Sequence, residues 1–189
     1  MKKRNLYAIL TIGGAIGSLA AFLQMLEKLS LLADKDASLI CNVNNVFSCT
    51  NVLNAPQSSV FGFPNALMCM ALFIIFTVVG LVGLTGGTVS RGMRLGTQFL
   101  TLFTLGFALW FLWQSTYVIG SICIFCIFCF IGLLMANFAM LRINAADIYK
   151  DKSKSAKLQK LVAANIDLYS WAALGLLVTV LIFVRFYAS

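Results

Sequence analysis

The stretch Phe63–Leu84 reads FPNALMCMALFIIFTVVGLVGL and carries no charged side chain from end to end. Roughly 20 apolar residues at about 1.5 Å each cross the hydrocarbon core of a bilayer. Four further runs repeat the pattern: Leu6–Leu26, Leu95–Trp113, Val118–Leu141 and Leu168–Tyr187. Their one charge is Arg185, close enough to the end of the last run to snorkel to the interface. Continuous apolar runs predict helices, because barrel strands alternate apolar and polar residues over about 10 positions. The expected fold is an all-α integral membrane protein with five transmembrane helices. Residues 1–141 are expected to hold a four-helix core with an outside loop at 27–62. Residues 142–166 read as a basic cytoplasmic connector lying near anionic lipid head groups, and 167–189 as the fifth helix.

Composition agrees with the spans. Of 189 residues, 61% are hydrophobic and 11% charged, against roughly 25% charged in a soluble domain. A water-soluble enzyme is excluded. There is no histidine, which excludes Ser-His-Asp and Cys-His catalysis as well as His-ligated metals and haem. The net charge of +8 is a topology signal. Lys2, Lys3, Arg4, Arg91, Arg94, Arg142 and the five lysines between Lys150 and Lys160 fall on one side of the five-span alternation. Lys28, Lys35 and Arg185 fall on the other. The first side is therefore the cytoplasmic one, with the N-terminus on it. Charges divided among membrane-flanking segments do not make a nucleic-acid surface. The first apolar run is longer than the core of a signal peptide and reads as an uncleaved span.

The six cysteines carry the remaining chemistry. Cys41 and Cys49 flank seven residues in the longest outside loop, and Cys123 and Cys126 follow the short outside connection 114–120. The inside loops have none, as suits an oxidising outer compartment. Cys123-Ile-Phe-Cys126 is a C-x-x-C at a helix start, with both sulfurs near one face and the first exposed to the positive end of the helix dipole. Cys126 and Cys129 share the same spacing, but Cys129 lies deeper. The redox pair is therefore assigned to Cys123 and Cys126, and Cys129 and Cys69 are expected to be packing residues. Cys41 and Cys49 have two readings: a structural disulfide closing a small loop, or a mobile shuttle disulfide. A second pair on the same face favours the shuttle. Metal binding by the four is disfavoured, because two of them begin inside the membrane.

A relay of thiols needs an electron acceptor. Val60-Phe61-Gly62-Phe63-Pro64-Asn65 opens the second span, with Phe61 and Phe63 placed to dip into the interface and Asn65 polar at its lip. Phe125, Phe128 and Phe130 are expected across the bundle. A flat, hydrophobic quinone suits such a site, with Asn65 donating to a ring carbonyl.

Taken in order, Cys41-x7-Cys49, Thr50-Asn51-Val52-Leu53, Val60-Phe61-Gly62-Phe63-Pro64-Asn65-Ala66-Leu67 and Ile122-Cys123-Ile124-Phe125-Cys126 resemble the vitamin K epoxide reductase family. The resemblance is to its bacterial disulfide-forming branch, without a fused thioredoxin domain, and covers roughly residues 5–141. It implies a four-helix bundle around a quinone (menaquinone or ubiquinone), capped by the loop. It implies that Cys41 and Cys49 are the shuttle pair, that Cys49 exchanges with Cys123, and that Cys126 faces the quinone. Asn65 and Phe130 would contact the quinone, with Phe130 standing where relatives often carry a tyrosine. Ala55 replaces a usual serine, leaving Ser58 or Ser59 to substitute, and Cys69 replaces a usual glycine. With the chain ending at Ser189, the implied partner is a separate DsbA-like thioredoxin-fold protein on the outer face of a bacterial cytoplasmic membrane. The expected activity is a thiol:quinone oxidoreductase driving disulfide formation. Its alternatives are a quinone-epoxide reductase of the same family and a non-enzymatic membrane subunit or transporter with a structural Cys41–Cys49 bond.

Overall fold

The computed structural model describes residues 2–34, 37–44, 46–149 and 151–187. The charge placements of Lys35 and Lys150 and the chain end at Ser189 lie outside the described residues. The helices are α1 (Lys3–Ala33), α2 (Cys49–Asn54), α3 (Asn65–Leu84), α4 (Arg91–Trp113), α5 (Ile124–Asn144), α6 (Lys152–Ala163) and α7 (Ile166–Tyr187), with a single 3-10 turn at Pro56–Ser59. Five of them are long and apolar enough to cross a membrane: α1, α3, α4 with its extension to Ile119, α5 and α7. The chain is a multi-pass, all-helical membrane protein, and no strand forms among the described residues.

Two helix boundaries differ from those the apolar runs predict. α1 runs past Leu26 to Ala33, so Glu27–Ala33 is helix rather than loop. Leu31 is buried there beneath the cap, and Glu27 Oε1 accepts a hydrogen bond from Ile40 N at 3.3 Å. These contacts carry the helix across a charged pair that ends the apolar pattern. The α5 helix starts at Ile124, six residues after Val118. Val118 and Ile119 instead finish α4 in a wider π-type turn, Gln114–Ile119. Gly120 (φ 72°) then reverses the chain in the left-handed region, which a glycine enters without steric cost.

The α1 helix is the axis of the bundle and packs along both α3 and α5. Glycines allow the close approach. A Cβ on Gly13 would lie 2.8 Å from Gly132 O, and one on Gly14 would lie 2.7 Å from Thr77 N. Small residues at such crossings bring backbones into direct contact, which drives association where lipid removes the hydrophobic incentive. α4 closes the four-helix bundle against α5 and α3. α7 lies outside it with most of its surface uncovered. An Arg142–Asp167 ion pair of 2.6 Å, almost fully buried, fastens α7 to the end of α5.

One end of the bundle is capped by the 39–59 segment. Leu31, Leu39, Cys41, Cys49, Val52, Leu53, Phe111 and Cys123 form a second apolar cluster there, separate from the main core. A single bridge between Phe47 and Ile122, with Ile122 N donating to Val46 O at 2.7 Å, lays the cysteine loop beside the residues preceding α5.

Candidate active site

Four of the six cysteines meet under the cap. Cys41 and Cys49 form a disulfide, with Cα atoms 5.7 Å apart. The loop they close is shaped by asparagines. Asn44 Oδ1 accepts from Val46 N (2.9 Å) and Phe47 N (2.8 Å), while Asn42 Nδ2 donates to Thr50 Oγ1 at 2.7 Å. The two Asn44 bonds, side chain to backbone, fix a turn that the backbone alone would not hold. Cys49 opens α2 and is fully buried, as is Cys123 opposite it. Their sulfurs lie 3.1 Å apart.

Cys123 occupies the position just before α5, in extended conformation (φ −88°, ψ 126°), and its carbonyl accepts from Cys126 N at 3.1 Å. Its sulfur thus stands between Cys49 and Cys126. The Cys126 thiol and the backbone N–H groups of Cys126 and Phe125 hold the Cys123 thiol below its usual range, against the opposing effect of burial.

Cys126 faces a cavity in the bundle just below the cap. α1 contributes Gln24 and Lys28; the cap contributes Leu53 and Ser58; α3 contributes Asn65, Cys69 and Phe73; α4 contributes Thr104, Phe107 and Phe111; α5 contributes Cys126 and Cys129. The enclosed space measures about 50 Å³, well below the roughly 300–1,000 Å³ of small-molecule sites, so a ligand with a ring enters as the walls part. Its walls are largely apolar and its polar groups gather near the cap. Asn65 Nδ2 donates to Gln57 O at 2.7 Å, and Asn65 Oδ1 accepts from Val60 N at 3.2 Å, so this side chain stitches the cap to α3. Ser58 Oγ and Lys28 Nζ both donate to Leu53 O, at 2.7 and 2.5 Å. Gln24 Nε2 donates to Cys126 Sγ at 3.6 Å. No group of three or more Cys, Asp or Glu side chains is arranged to hold a metal ion among the described residues.

The residues singled out from sequence separate here. Cys41, Cys49, Cys123 and Cys126 come together, and Asn65 joins Cys126 in the cavity lining. Phe61 and Phe63 lie on the surface, stacked on each other with ring centroids 6.2 Å apart; Phe61 also packs on Phe107, at 5.8 Å. Phe130 is buried in the main core, outside the lining. The aromatic walls come instead from Phe73, Phe107 and Phe111. Cys69 and Cys129, expected to be packing residues, do pack in or against the main core, and they also line the cavity. Ser58 lines it as well, whereas Ala55 and Ser59 do not. Sequence reasoning missed Gln24 and Lys28. Their signal was a polar pair one helical turn apart at the end of an apolar run.

Residues 8–141 match the model of the vitamin K epoxide reductase family. The chain belongs to this family. No curated protein matches it. As a vitamin K epoxide reductase family member it is a membrane oxidoreductase built on cysteine pairs, and its family works with quinones and thiols. The matched region takes in both cysteine pairs and every cavity-lining residue, and leaves α6 and α7 outside.

Proposed function

We propose that this protein is a thiol:quinone oxidoreductase that drives disulfide formation outside the cytoplasm. It would take electrons from a separate thioredoxin-fold dithiol protein through Cys41 and Cys49, pass them to Cys123 and Cys126, and deliver them to a quinone beside Cys126. The observation that carries the reading is the 3.1 Å separation of Cys49 Sγ from Cys123 Sγ while Cys49 is bonded to Cys41. Thiol–disulfide exchange requires three sulfurs in contact.

Each step balances. The partner's dithiol attacks the Cys41–Cys49 bond, leaves as a disulfide and hands both electrons to the loop pair. Cys49 thiolate attacks Cys123 in a Cys123–Cys126 disulfide and frees Cys126 thiolate. Cys41 then attacks Cys49, restores the loop disulfide and frees Cys123. A bound quinone would supply the terminal oxidant: the Cys123–Cys126 disulfide re-forms, and its two electrons and two protons would leave with a quinol. The residues that would hold it are Phe73, Phe107 and Phe111, which line the cavity as flat apolar walls, and Asn65, whose Nδ2 has a second hydrogen that would suit a ring carbonyl. Cys41 and Cys49 are 3% and 0% exposed, so a partner reaches them after the cap loosens.

The basic residues support the orientation. Arg91 and Arg94 meet Asp147 at the end of the bundle opposite the sulfurs, and Arg142 lies there too. That end is the cytoplasmic one under the positive-inside rule.

The test compares two variants in proteoliposomes. Cys126→Ala abolishes quinone reduction yet leaves the Cys41–Cys49 bond reducible by a partner dithiol. Cys49→Ala slows exchange with the partner more than any step at the quinone. Continued partner oxidation by a Cys123→Ala/Cys126→Ala double variant would refute the proposal.

A further inference from the structure

Cys123 and Cys126 sit in unlike surroundings although two residues separate them. Cys123 precedes α5 and meets the free N–H groups of its first turn. Cys126 lies within that turn, and its own N–H is committed to Cys123 O. Its sulfur faces a largely apolar cavity, walled by Leu53, Phe73, Phe111 and Leu133, whose other titratable groups are Cys69, Cys129 and Lys28, the last donating to Leu53 O. A thiolate released there has lost its water and needs a donor from elsewhere. Gln24 supplies one, with Nε2 3.6 Å from Cys126 Sγ. Gln24 is only 7% exposed, in a stretch of α1 otherwise built of Ala, Phe, Leu and Met. A buried carboxamide is costly unless it is bonded, so its placement against sulfur is specific.

We propose that Gln24 is a catalytic residue of the relay: its amide N–H donates to Cys126 Sγ and holds that sulfur as the leaving thiolate. The inference rests on the relay reading above. In the step concerned, Cys49 thiolate attacks Cys123 Sγ. The Cys49–Cys123 bond forms, the Cys123–Cys126 bond breaks, and the electron pair stays on Cys126 Sγ with no proton transferred. Gln24 meets the charge where it appears, in a cavity whose low polarity strengthens the bond. With no histidine in the chain, the carboxamide does by donation what an imidazolium does elsewhere.

The experiment uses the full chain in detergent with Cys41→Ala, which stops the relay at the Cys49–Cys123 disulfide and leaves Cys126 free. Alkylation of Cys126 by iodoacetamide is followed against pH by peptide mass spectrometry, which separates it from Cys69 and Cys129. Adding Gln24→Leu moves the alkylation midpoint up by about one pH unit, a tenfold smaller thiolate population at fixed pH. Gln24→Met, close in volume and without a donor, moves it up as well. A midpoint that stays in place in both variants overturns the role of Gln24. A Cys41→Ala protein that accumulates no Cys49–Cys123 disulfide overturns the relay reading itself, and the inference with it.

Discussion

Cys123 Sγ stands 3.1 Å from Cys49 Sγ, and both side chains are fully buried. The contact joins two parts of the chain that fold for different reasons. Cys49 is carried by α2 in the cap, and Cys123 is the extended residue just before α5. The Phe47–Ile122 bridge holds them in register. Under the proposed relay, this closed arrangement would let the loop pair exchange with the helix pair without further movement, and the burial of both sulfurs would keep water and small thiols away. The cap would then have to open for a protein partner.

That opening is measurable at Asn42. Its side chain ties the loop to α2, donating to Thr50 Oγ1 at 2.7 Å and accepting from Thr50 N at 3.2 Å. Each such bond contributes about 1 kcal/mol net. Asn42→Ala is expected to speed reduction of the Cys41–Cys49 bond by dithiothreitol, by about fivefold or more, as followed by mass spectrometry of alkylated protein.

The glycine crossings make a second prediction. A Cβ on Gly14 would fall 2.7 Å from Thr77 N, and backbone cannot step aside as a flexible side chain can. Gly14→Ala should destabilise the α1–α3 contact by roughly 1–3 kcal/mol, in line with overpacked cores. The check is thermal unfolding in detergent. Gly92→Ala, where a Cβ meets nothing within 4 Å, is the control and should leave the transition in place.

The attachment of α7 gives a third. Arg142 and Asp167 have side chains only 7% and 4% exposed, and the Arg142 guanidinium also lies 4.5 Å from the Phe138 ring centroid. Removing one partner of a buried pair strands the other charge, at a cost of roughly 3–5 kcal/mol. Asp167→Ala is therefore expected to lower the unfolding temperature far more than the double change Arg142→Met/Asp167→Leu. Quinone reduction, at the opposite end of the bundle, should persist below that temperature.

The spans and the cysteine order were legible in the sequence because both signals are local: a run without charge, and thiols at short spacing. The facing of each helix was not. α3 and α5 are apolar all round, so no polar stripe marks which side meets the bundle. That rotation is set by close contacts such as Gly13 against Gly132 and Gly14 against Thr77, which appear only when both helices are in place. It turns Cys69 and Cys129 into the cavity and Phe130 into the core. Asn65 was legible because it opens its helix, where direction depends less on rotation. Lys28 was passed over because α1 continues to Ala33, beyond the charged pair at which the apolar run stops, and Gln24 because the run does not tell which way its side chain faces.

The most direct measurement of the relay is disulfide mapping of the Cys41→Ala protein after oxidation by quinone. With its resolving thiol gone, Cys49 should be found bonded to Cys123 in the bulk of the protein, with Cys126 free to be alkylated. Recovery of Cys123 bonded only to Cys126, with Cys49 free, would contradict transfer between the two pairs.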